Sequence, residues 1–202
     1  MAEAAGSVEA AVEVLKAGGI VALPTETVYG LAVLPQAGPL ATLLAAKRRP
    51  HEKGIALAVD SIAQVEALAE LPSSARRLAE RFWPGPLTLV LPPRSDEARG
   101  LPGPLLGPTG ALGFRLADHP LPRQLAARLG PLALTSANVS GGPDARTVDE
   151  LAALGDAPSL VLDGGPALGG VASTVVAIDA AGVVTILRAG ALDTAEVLAA
   201  LT

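Results

Sequence analysis

The chain has 202 residues, of which 50% are apolar, and its formal net charge at pH 7 is −5. The apolar share is enough to bury a hydrophobic core, so a disordered chain is excluded. The acidic balance argues against a broad nucleic-acid-binding surface. Because the chain has no cysteine and two histidines, disulfides, thiolate chemistry and cysteine zinc sites are excluded, and no structural metal is expected.

The sequence predicts neither a targeting segment nor a membrane segment. Its first ten residues lack the basic and apolar regions of a signal peptide, so we expect a cytoplasmic protein. The stretch from Thr27 to Ala46 carries no charge, but Pro35 and Pro39 interrupt it and argue against a membrane helix. Aromatic residues are too few to build the stacking platform of a single-stranded RNA reader.

A first helix is predicted before Gly18–Gly19, and the β-branched run Ile20–Leu23 predicts a buried strand. Pro24 is expected to end the ladder of that strand because it has no N–H to donate. The sequence PTETVYGL, at positions 24–31, then combines hydroxyl groups with a carboxylate. Two interpretations stay open: a ligand site at the carboxyl end of a strand, or a polar turn between strands with a buried, hydrogen-bonded Tyr29.

The densest positive charge in the chain follows the predicted helix Leu40–Arg48. The segment from Lys47 to Lys53 holds five basic side chains if His51 is protonated. Because the predicted strand Ile55–Asp60 comes next, the segment lies between a helix and a strand, where ligand-binding loops are common. A solvated helix end is the alternative.

The rest of the chain alternates predicted helices and strands. Trp83–Pro86 is interpreted as a tight turn with Trp83 packed on the core, and Gly100–Gly110 as a surface loop that could act as a lid. Strands are predicted at Leu87–Leu91, Ala111–Ala117, Leu132–Thr135, Leu160–Asp163, Ser173–Ile178 and Val183–Leu187, and helices at 61–71, 73–82, Pro120–Leu129, 147–154 and Thr194–Leu201.

Two further features lie on or just after predicted strands. Arg115 interrupts an apolar strand, and since a buried arginine needs an anionic partner, a substrate carboxylate and a structural salt bridge are both open. Ser136 and Asn138 follow another strand and precede Gly141–Gly142. A turn alone explains Asn138 and the glycines, but it explains Ser136 less well.

The common nucleotide-binding and hydrolase motifs, such as the P-loop and the nucleophile elbow, are absent from the sequence. The sequence offers instead a set of strand-end clusters that carry cations, hydroxyls and amides. Such a set suits a small polyanion, because phosphoryl and adenylyl transfer depend mainly on positioning and charge neutralisation.

These clusters, in this order, resemble the YrdC-like family of threonylcarbamoyl-AMP synthases over about residues 18–190. The K-x-R element of the family matches Lys47 and Arg49, and its S-x-N element matches Ser136 and Asn138. The other matching elements are W-x-G-P-L-T at Trp83–Thr88, R-x-x-x-H-P at Arg115–Pro120, S-T-V at Ser173–Val175 and R-x-G at Arg188–Gly190.

The resemblance implies one α/β domain over residues 1–202, with a twisted, mostly β sheet flanked by helices around a concave positive cavity. It implies a reaction in which L-threonine, bicarbonate or CO2, and ATP give threonylcarbamoyl-AMP and pyrophosphate. Mg²⁺ is expected to be carried mainly by ATP, with no metal site built by the protein. The product would feed threonylcarbamoyladenosine synthesis in tRNA through downstream transfer proteins.

The resemblance also implies roles for individual residues. The expected catalytic residues, which also contact ATP, are Lys47, Arg49, Ser136 and Asn138. Ser173 and Arg188 are expected to contact ATP as well. The residues expected to bind threonine are Thr25, Thr27, Tyr29, Arg115 and Thr135.

Two alternatives to the synthase remain open from the sequence. One is a translation-related protein that binds double-stranded RNA or tRNA; the acidic balance weighs against this as the sole function, but weak RNA binding is compatible with an enzyme. The other is a paralogue with the same cavity and another substrate.

Overall fold

The computed structural model describes residues 6–48 and 54–201. The predicted site residue Arg49 and the rest of the basic segment after Arg48 lie outside the described residues. Of the helices in the described ranges, none is long and apolar enough to cross a membrane.

Within these ranges the strands form one mixed, nine-stranded sheet. The strands are β1 (Val21–Pro24), β2 (Tyr29–Val33), β3 (Ala56–Ala58), β4 (Leu87–Leu91), β5 (Leu112–Arg115), β6 (Leu132–Ser136), β7 (Leu160–Val161), β8 (Thr174–Ile178) and β9 (Val184–Arg188). Their order across the sheet is β7-β1-β2-β6-β3-β5-β4-β8-β9. The pairs β1/β7, β3/β5 and β4/β8 are parallel and the other neighbours are antiparallel.

Helices flank this sheet, which confirms the predicted α/β class. They are α1 (Val8–Lys16), α2 (Ala37–Lys47), α3 (Ile62–Leu68), α4 (Ser73–Phe82), α5 (Asp96–Arg99), α6 (Gly103–Leu106), α7 (Pro120–Leu129) and α8 (Thr194–Ala199), with a 3₁₀ helix at Asp149–Leu154. Side-chain caps begin several of them, since Ser7 accepts a hydrogen bond from Ala10 N at 3.2 Å and Asp193 accepts one from Ala195 N at 2.8 Å.

The two faces of the sheet are covered differently. On one face, side chains such as Leu57, Leu89 and Phe114 are buried in the main core together with α2, α3 and α4. On the other face, α1 and α7 pack over β1 and β6 at one side of the sheet. Because side chains alternate along a strand, Val90 and Arg115 point to this second face, where they border an open cavity that α1 and α7 do not fill.

The end of β1 differs from the prediction in one respect. Pro24 belongs to the strand and pairs with Tyr29. The hydrogen bonding between the two chain segments continues past Pro24, because Thr25 N donates to Val28 O at 3.1 Å, while Tyr29 N donates to Ala145 O at 2.8 Å instead of to β1. Pro24 and Tyr29 therefore face each other without mutual hydrogen bonds, so the missing N–H of proline removes no bond between β1 and β2, and the expectation that Pro24 ends the ladder is wrong.

Other predicted boundaries also need correction. The predicted loop at 100–110 contains α6, in which Leu105 is buried with a relative exposure of 1%. The element predicted as a helix at 147–154 is the 3₁₀ helix, and the strand predicted at Leu160–Asp163 is two residues long. Trp83 packs on the core as expected, and its indole N–H donates to Leu87 O at 2.8 Å.

Candidate active site

The open part of the second sheet face is a cavity of about 290 Å³. Small side chains on the central strands, Ala56, Ala58 and Gly113, form its floor and leave room for a ligand. Seven predicted site residues border it: Thr25, Tyr29, Arg115, Thr135, Ser136, Ser173 and Arg188. Three others, Thr27, Lys47 and Asn138, do not border it. The tertiary structure therefore brings together clusters that are spread over the whole chain.

Residues 25–28 form the turn between β1 and β2, and hydroxyl groups hold it closed. Thr25 Oγ1 lies 2.8 Å from Thr27 Oγ1 and donates to Val28 O at 2.7 Å. The same oxygen accepts from Thr27 N at 3.2 Å and from Val28 N at 3.3 Å. Both threonines are buried, and Thr25 borders the cavity. The segment is thus a polar turn between strands, and the same turn forms part of the cavity wall.

Arg115 finds its anionic partner within the protein. Its Nη2 donates to Glu26 Oε1 and to Thr27 Oγ1, each at 2.8 Å. Arg115 Nε and Glu26 Oε2 are buried and have no hydrogen-bond partner among the described residues. The structural salt bridge left open by the sequence is therefore present, while the guanidinium still borders the cavity. The sequence identified Glu26 as the carboxylate of the 24–31 cluster but did not predict that it pairs with Arg115.

The K-x-R and S-x-N elements meet at the end of α2. Lys47 is fully buried, and its ammonium donates to Ser136 O, to Asn138 O at 2.8 Å and to Asn138 Oδ1 at 2.8 Å. Main-chain bonding adds to this contact, because Ser140 N donates to Lys47 O at 2.9 Å. Lys47 therefore lies under the loop after β6 and behind the wall that this loop forms.

Ser136 and Asn138 are also linked directly to each other. Ser136 Oγ donates to Asn138 Oδ1 at 2.9 Å, and Asn138 Nδ2 donates to Gly142 O at 2.7 Å. The Nδ2 group of Asn138 thus closes the turn that contains the glycines. Its Oδ1 atom accepts hydrogen bonds from both Lys47 and Ser136. The lysine, the serine and the asparagine form one hydrogen-bonded unit, of which Ser136 borders the cavity.

Ser173 and Arg188 form the opposite wall. The Ser173 hydroxyl lies 2.8 Å from Thr88 Oγ1, and Arg188 Nη2 donates to Ser173 O at 2.7 Å. Burial lowers the pKa of Arg188, the nearby charge of Arg115 lowers it further, and Asp144 acts in the opposite direction. Two guanidinium groups that interact across one cavity favour an anionic ligand. Thr88 is a wall residue to which the sequence analysis gave no role.

Tyr29 contributes to the main core more than to the cavity wall. It is fully buried, and its hydroxyl lies 2.9 Å from Gly165 O and 3.3 Å from Asp163 Oδ1. Burial, followed by the charge of Asp163, raises the pKa of Tyr29 to about 12. The hydroxyl is thus neutral at physiological pH, and its contacts are with Gly165 and Asp163.

The region predicted as a surface loop, residues 100–110, borders one side of the cavity. Leu105, Leu106, Gly107, Pro108 and Thr109 border it, and Ile55 N fixes the start of α6 by donating to Pro104 O at 2.8 Å. These residues were not predicted as site residues, since a run of proline, glycine and leucine carries no chemical signature. They make this side of the cavity apolar.

The Sua5/YciO/YrdC family model, described as "telomere recombination", matches residues 13–190 of the chain. The chain belongs to the Sua5/YciO/YrdC family. A relative from Chromohalobacter salexigens named threonylcarbamoyl-AMP synthase is 42% identical over 176 residues, covering 85% of this chain and 91% of the relative. One from Stutzerimonas stutzeri, with the same name, is 39% identical over 142 residues, covering 69% of this chain and 75% of the relative.

A solved family member has the same fold. The structure of P. abyssi Sua5 in complex with L-threonine superimposes with a TM-score of 0.85 at 34% identity and covers 96% of this chain. This chain spans 56% of the length of that protein. The Sua5/YciO/YrdC fold predicted from the motifs is therefore confirmed over almost the whole chain.

Proposed function

We propose that the chain is an L-threonylcarbamoyladenylate synthase, a nucleotidyltransferase that makes threonylcarbamoyl-AMP and pyrophosphate from L-threonine, bicarbonate or CO2, and ATP. The observation that carries the proposal is the convergence of Thr25, Ser136 and two arginines on one cavity, with Lys47 and Asn138 hydrogen-bonded behind Ser136. The relatives named as synthases and the threonine complex of P. abyssi Sua5 support the same activity.

The proposed reaction has two steps. In the first, the threonine amine attacks CO2 and loses a proton, which gives a carbamate. In the second, a carbamate oxygen forms a bond to the α-phosphorus of ATP, the bond from that phosphorus to the bridging oxygen breaks, and pyrophosphate leaves. No covalent intermediate with the protein is required, so positioning and charge neutralisation provide the catalysis.

The residues of the cavity have separate roles in this proposal. Ser136 and Asn138 bind ATP or the carbamate, and the charge of Lys47 acts from beneath the loop that carries them. Arg188 and Ser173 are assigned to the nucleotide side. Thr25, Thr27, Tyr29, Arg115 and Thr135 are assigned to the threonine side. Arg49 keeps its predicted role in ATP binding.

The expected metal ion is Mg²⁺, and it neutralises phosphate charge when it is bound to ATP. Among the described residues no group of three or more histidine, aspartate or glutamate side chains is placed to hold a metal ion. The donor set of the cavity consists of hydroxyls, amides and guanidinium groups, which bind phosphate oxygens rather than cations. We therefore assign Mg²⁺ to the phosphate oxygens of ATP.

The use of the product involves tRNA. The adenylate would be passed to transfer proteins that modify tRNA, which suits a cytoplasmic enzyme. Binding of tRNA or double-stranded RNA by this chain is expected to be weak and salt-sensitive, because the net charge is −5 and Arg115 and Arg188 border the cavity. Adenylate formation should therefore not require tRNA.

The test is pyrophosphate release by purified protein with ATP and Mg²⁺. Release should require both threonine and bicarbonate, because the carbamate must form before it can attack the α-phosphate. Omission of either compound, replacement of threonine by alanine, and addition of tRNA are the comparisons. Equal release with ATP alone or with alanine would refute the proposed substrate, and an absolute requirement for tRNA would favour the RNA-directed alternative.

A further inference from the structure

A glycine-rich segment, residues 163–170, lies against the turn at 25–28; we call it the strap. Two of its glycines donate main-chain hydrogen bonds to the turn. Gly169 N donates to the carbonyl oxygen of Glu26 at 3.1 Å, and Gly170 N donates to that of Thr27 at 2.7 Å. Glu26 and Thr27 therefore bind Arg115 through their side chains and bind the strap through their main-chain carbonyl oxygens.

The beginning of the strap is fixed by a tyrosine and an aspartate. Asp163 Oδ1 accepts a hydrogen bond from Gly165 N at 2.9 Å and lies 3.3 Å from the Tyr29 hydroxyl. That hydroxyl is also 2.9 Å from Gly165 O. The first residues of the strap therefore contact Tyr29, and its last two residues bond to Glu26 and Thr27. Because Tyr29 directly follows the turn in the chain, both ends of the strap are attached to residues 26–29.

The strap lies so close to the turn that side chains do not fit between them. A Cβ atom on Gly169 would lie 2.7 Å from Glu26 O and 3.0 Å from Thr27 Cα. One on Gly164 would lie 2.8 Å from Pro24 Cγ. Neither glycine has a positive φ angle that would require glycine. The short distance between the strap and residues 24–27 therefore explains why glycine occupies these two positions.

We propose that Tyr29 and Asp163 are positioning residues for the amino-acid substrate, and that they act by holding the strap against Glu26 and Thr27. The strap fixes the main chain of these two residues, their side chains fix Arg115, and Arg115 borders the cavity. The inference rests on the proposed function, because it assigns this side of the cavity to threonine. It gives Tyr29 an indirect role in place of substrate contact.

The strap contains its own control position. Leu168 lies between the anchored residues and is 83% exposed, so its side chain does not take part in the contact with the turn. Removing it should leave the strap in place. Asp163→Ala removes the carboxylate that accepts from Gly165, whereas Asp163→Asn keeps an acceptor oxygen at the same place.

The kinetic test measures threonine-dependent pyrophosphate release for Asp163→Ala, Tyr29→Phe, Asp163→Asn and Leu168→Ala. Loss of one positioning hydrogen bond should raise KM for threonine about tenfold in the first two variants, with kcat and KM for ATP changed less than about twofold. Asp163→Asn should restore KM for threonine, and Leu168→Ala should match the wild type. An unchanged KM for threonine, or equal increases for threonine and ATP, would overturn the proposal.

Two measurements without substrate separate the strap from the activity. Amide exchange of Gly169 and Gly170 should accelerate in Asp163→Ala and not in Leu168→Ala. Because Tyr29 is the only tyrosine in the sequence, tyrosinate absorbance reports its titration alone, and Asp163→Asn should lower its pKa while Trp83 fluorescence shows that the fold persists. Slow exchange in Asp163→Ala would refute the strap itself, whereas a wild-type protein without threonine-dependent release would refute the proposed function.

Discussion

The ammonium group of Lys47 lies 2.8 Å from both the main-chain and the side-chain oxygen of Asn138. These two residues belong to separate elements of the family motif and are 91 positions apart in the sequence. Their contact makes the end of α2 and the loop after β6 one structural unit. It also means that substitutions in one element act on the other.

Lys47→Met should lower both activity and stability. The substitution removes a buried ammonium that donates to Ser136 O, Asn138 O and Asn138 Oδ1, so we expect a loss of about 3 kcal/mol in the free energy of unfolding. Activity per folded molecule should fall about 100-fold, as expected for loss of one well-placed charge near the phosphates. Urea unfolding and pyrophosphate release measure the two effects.

The matched control for Lys47 is its exposed neighbour Arg48. Arg48→Ala should change neither stability nor activity appreciably. The sequence prediction for Arg49 is retained here: Arg49→Ala should lower activity about 100-fold. Equal losses in Arg48→Ala and Arg49→Ala would contradict the assignment of the K-x-R element.

Asn138→Ala and Ser136→Ala should differ in stability. Both should reduce turnover, but Asn138→Ala also removes an acceptor of the buried Lys47 and the donor to Gly142 O, so it should cost about 2 kcal/mol. Ser136→Ala removes one donor from Asn138 Oδ1, which keeps Lys47, and should leave the melting temperature nearly unchanged. Thermal unfolding and single-turnover rates, measured for each variant, distinguish the effects on stability and on activity. Normal turnover in both variants would show that the loop after β6 has only a structural role.

Removing Glu26 should be more harmful than removing the whole Glu26–Arg115 pair. The pair is largely buried, with side-chain exposures of 19% and 11%. Glu26→Ala strands a buried guanidinium and should cost about 3 kcal/mol, whereas the double variant Glu26→Ala, Arg115→Met should recover at least part of that loss. Threonine-dependent activity should stay low in the double variant. Additive losses of stability would contradict this coupling.

Filling the cavity should abolish activity without unfolding the protein. A Cβ atom on Gly113 would meet Ala56 at 3.5 Å, an ordinary contact, so Gly113→Ala should fold and keep most of its activity. Gly113→Leu would place a branched side chain in the cavity and should reduce turnover by about 100-fold or more while binding of both substrates weakens. Full activity in Gly113→Leu would show that the active site does not lie in this cavity.

Stability should fall as the pH drops below the ordinary histidine pKa of 6.5, in part because of His119. Its Nδ1 accepts a hydrogen bond from Leu121 N at 3.3 Å at the start of α7, and burial lowers its pKa in spite of the opposing charges of Glu26 and Asp118. The unfolded chain therefore takes up a proton in a range where the folded chain does not. The stabilisation is complete above that ordinary value and is lost as the pH falls through the lower folded value.

Urea unfolding from about pH 5 to pH 8 measures this dependence. His119→Asn keeps a side-chain acceptor for the helix cap but does not titrate, so its stability should vary less across this range. An equally steep dependence in His119→Asn would assign the effect to other groups.

Much of the secondary structure is determined by local sequence. Helix α7 and strand β4 have the predicted bounds, because a proline start and an uncharged β-rich run are strong local signals. The motif residues were also identifiable, because the family elements occur in order along the chain. The polar residues Thr25, Arg115, Ser136, Ser173 and Arg188 of the cavity wall were therefore predictable from the sequence, whereas its apolar part at 105–109 was not.

The partners of these residues were decided by the tertiary structure. Arg115 pairs with Glu26 across 89 positions, and Tyr29 meets Asp163 across 134. Such contacts depend on the order of strands in the sheet, where β6 lies between β2 and β3, and no local pattern encodes that order. The sequence by itself identified which side chains take part, while long-range strand pairing decided which of them face the cavity and which support it from behind.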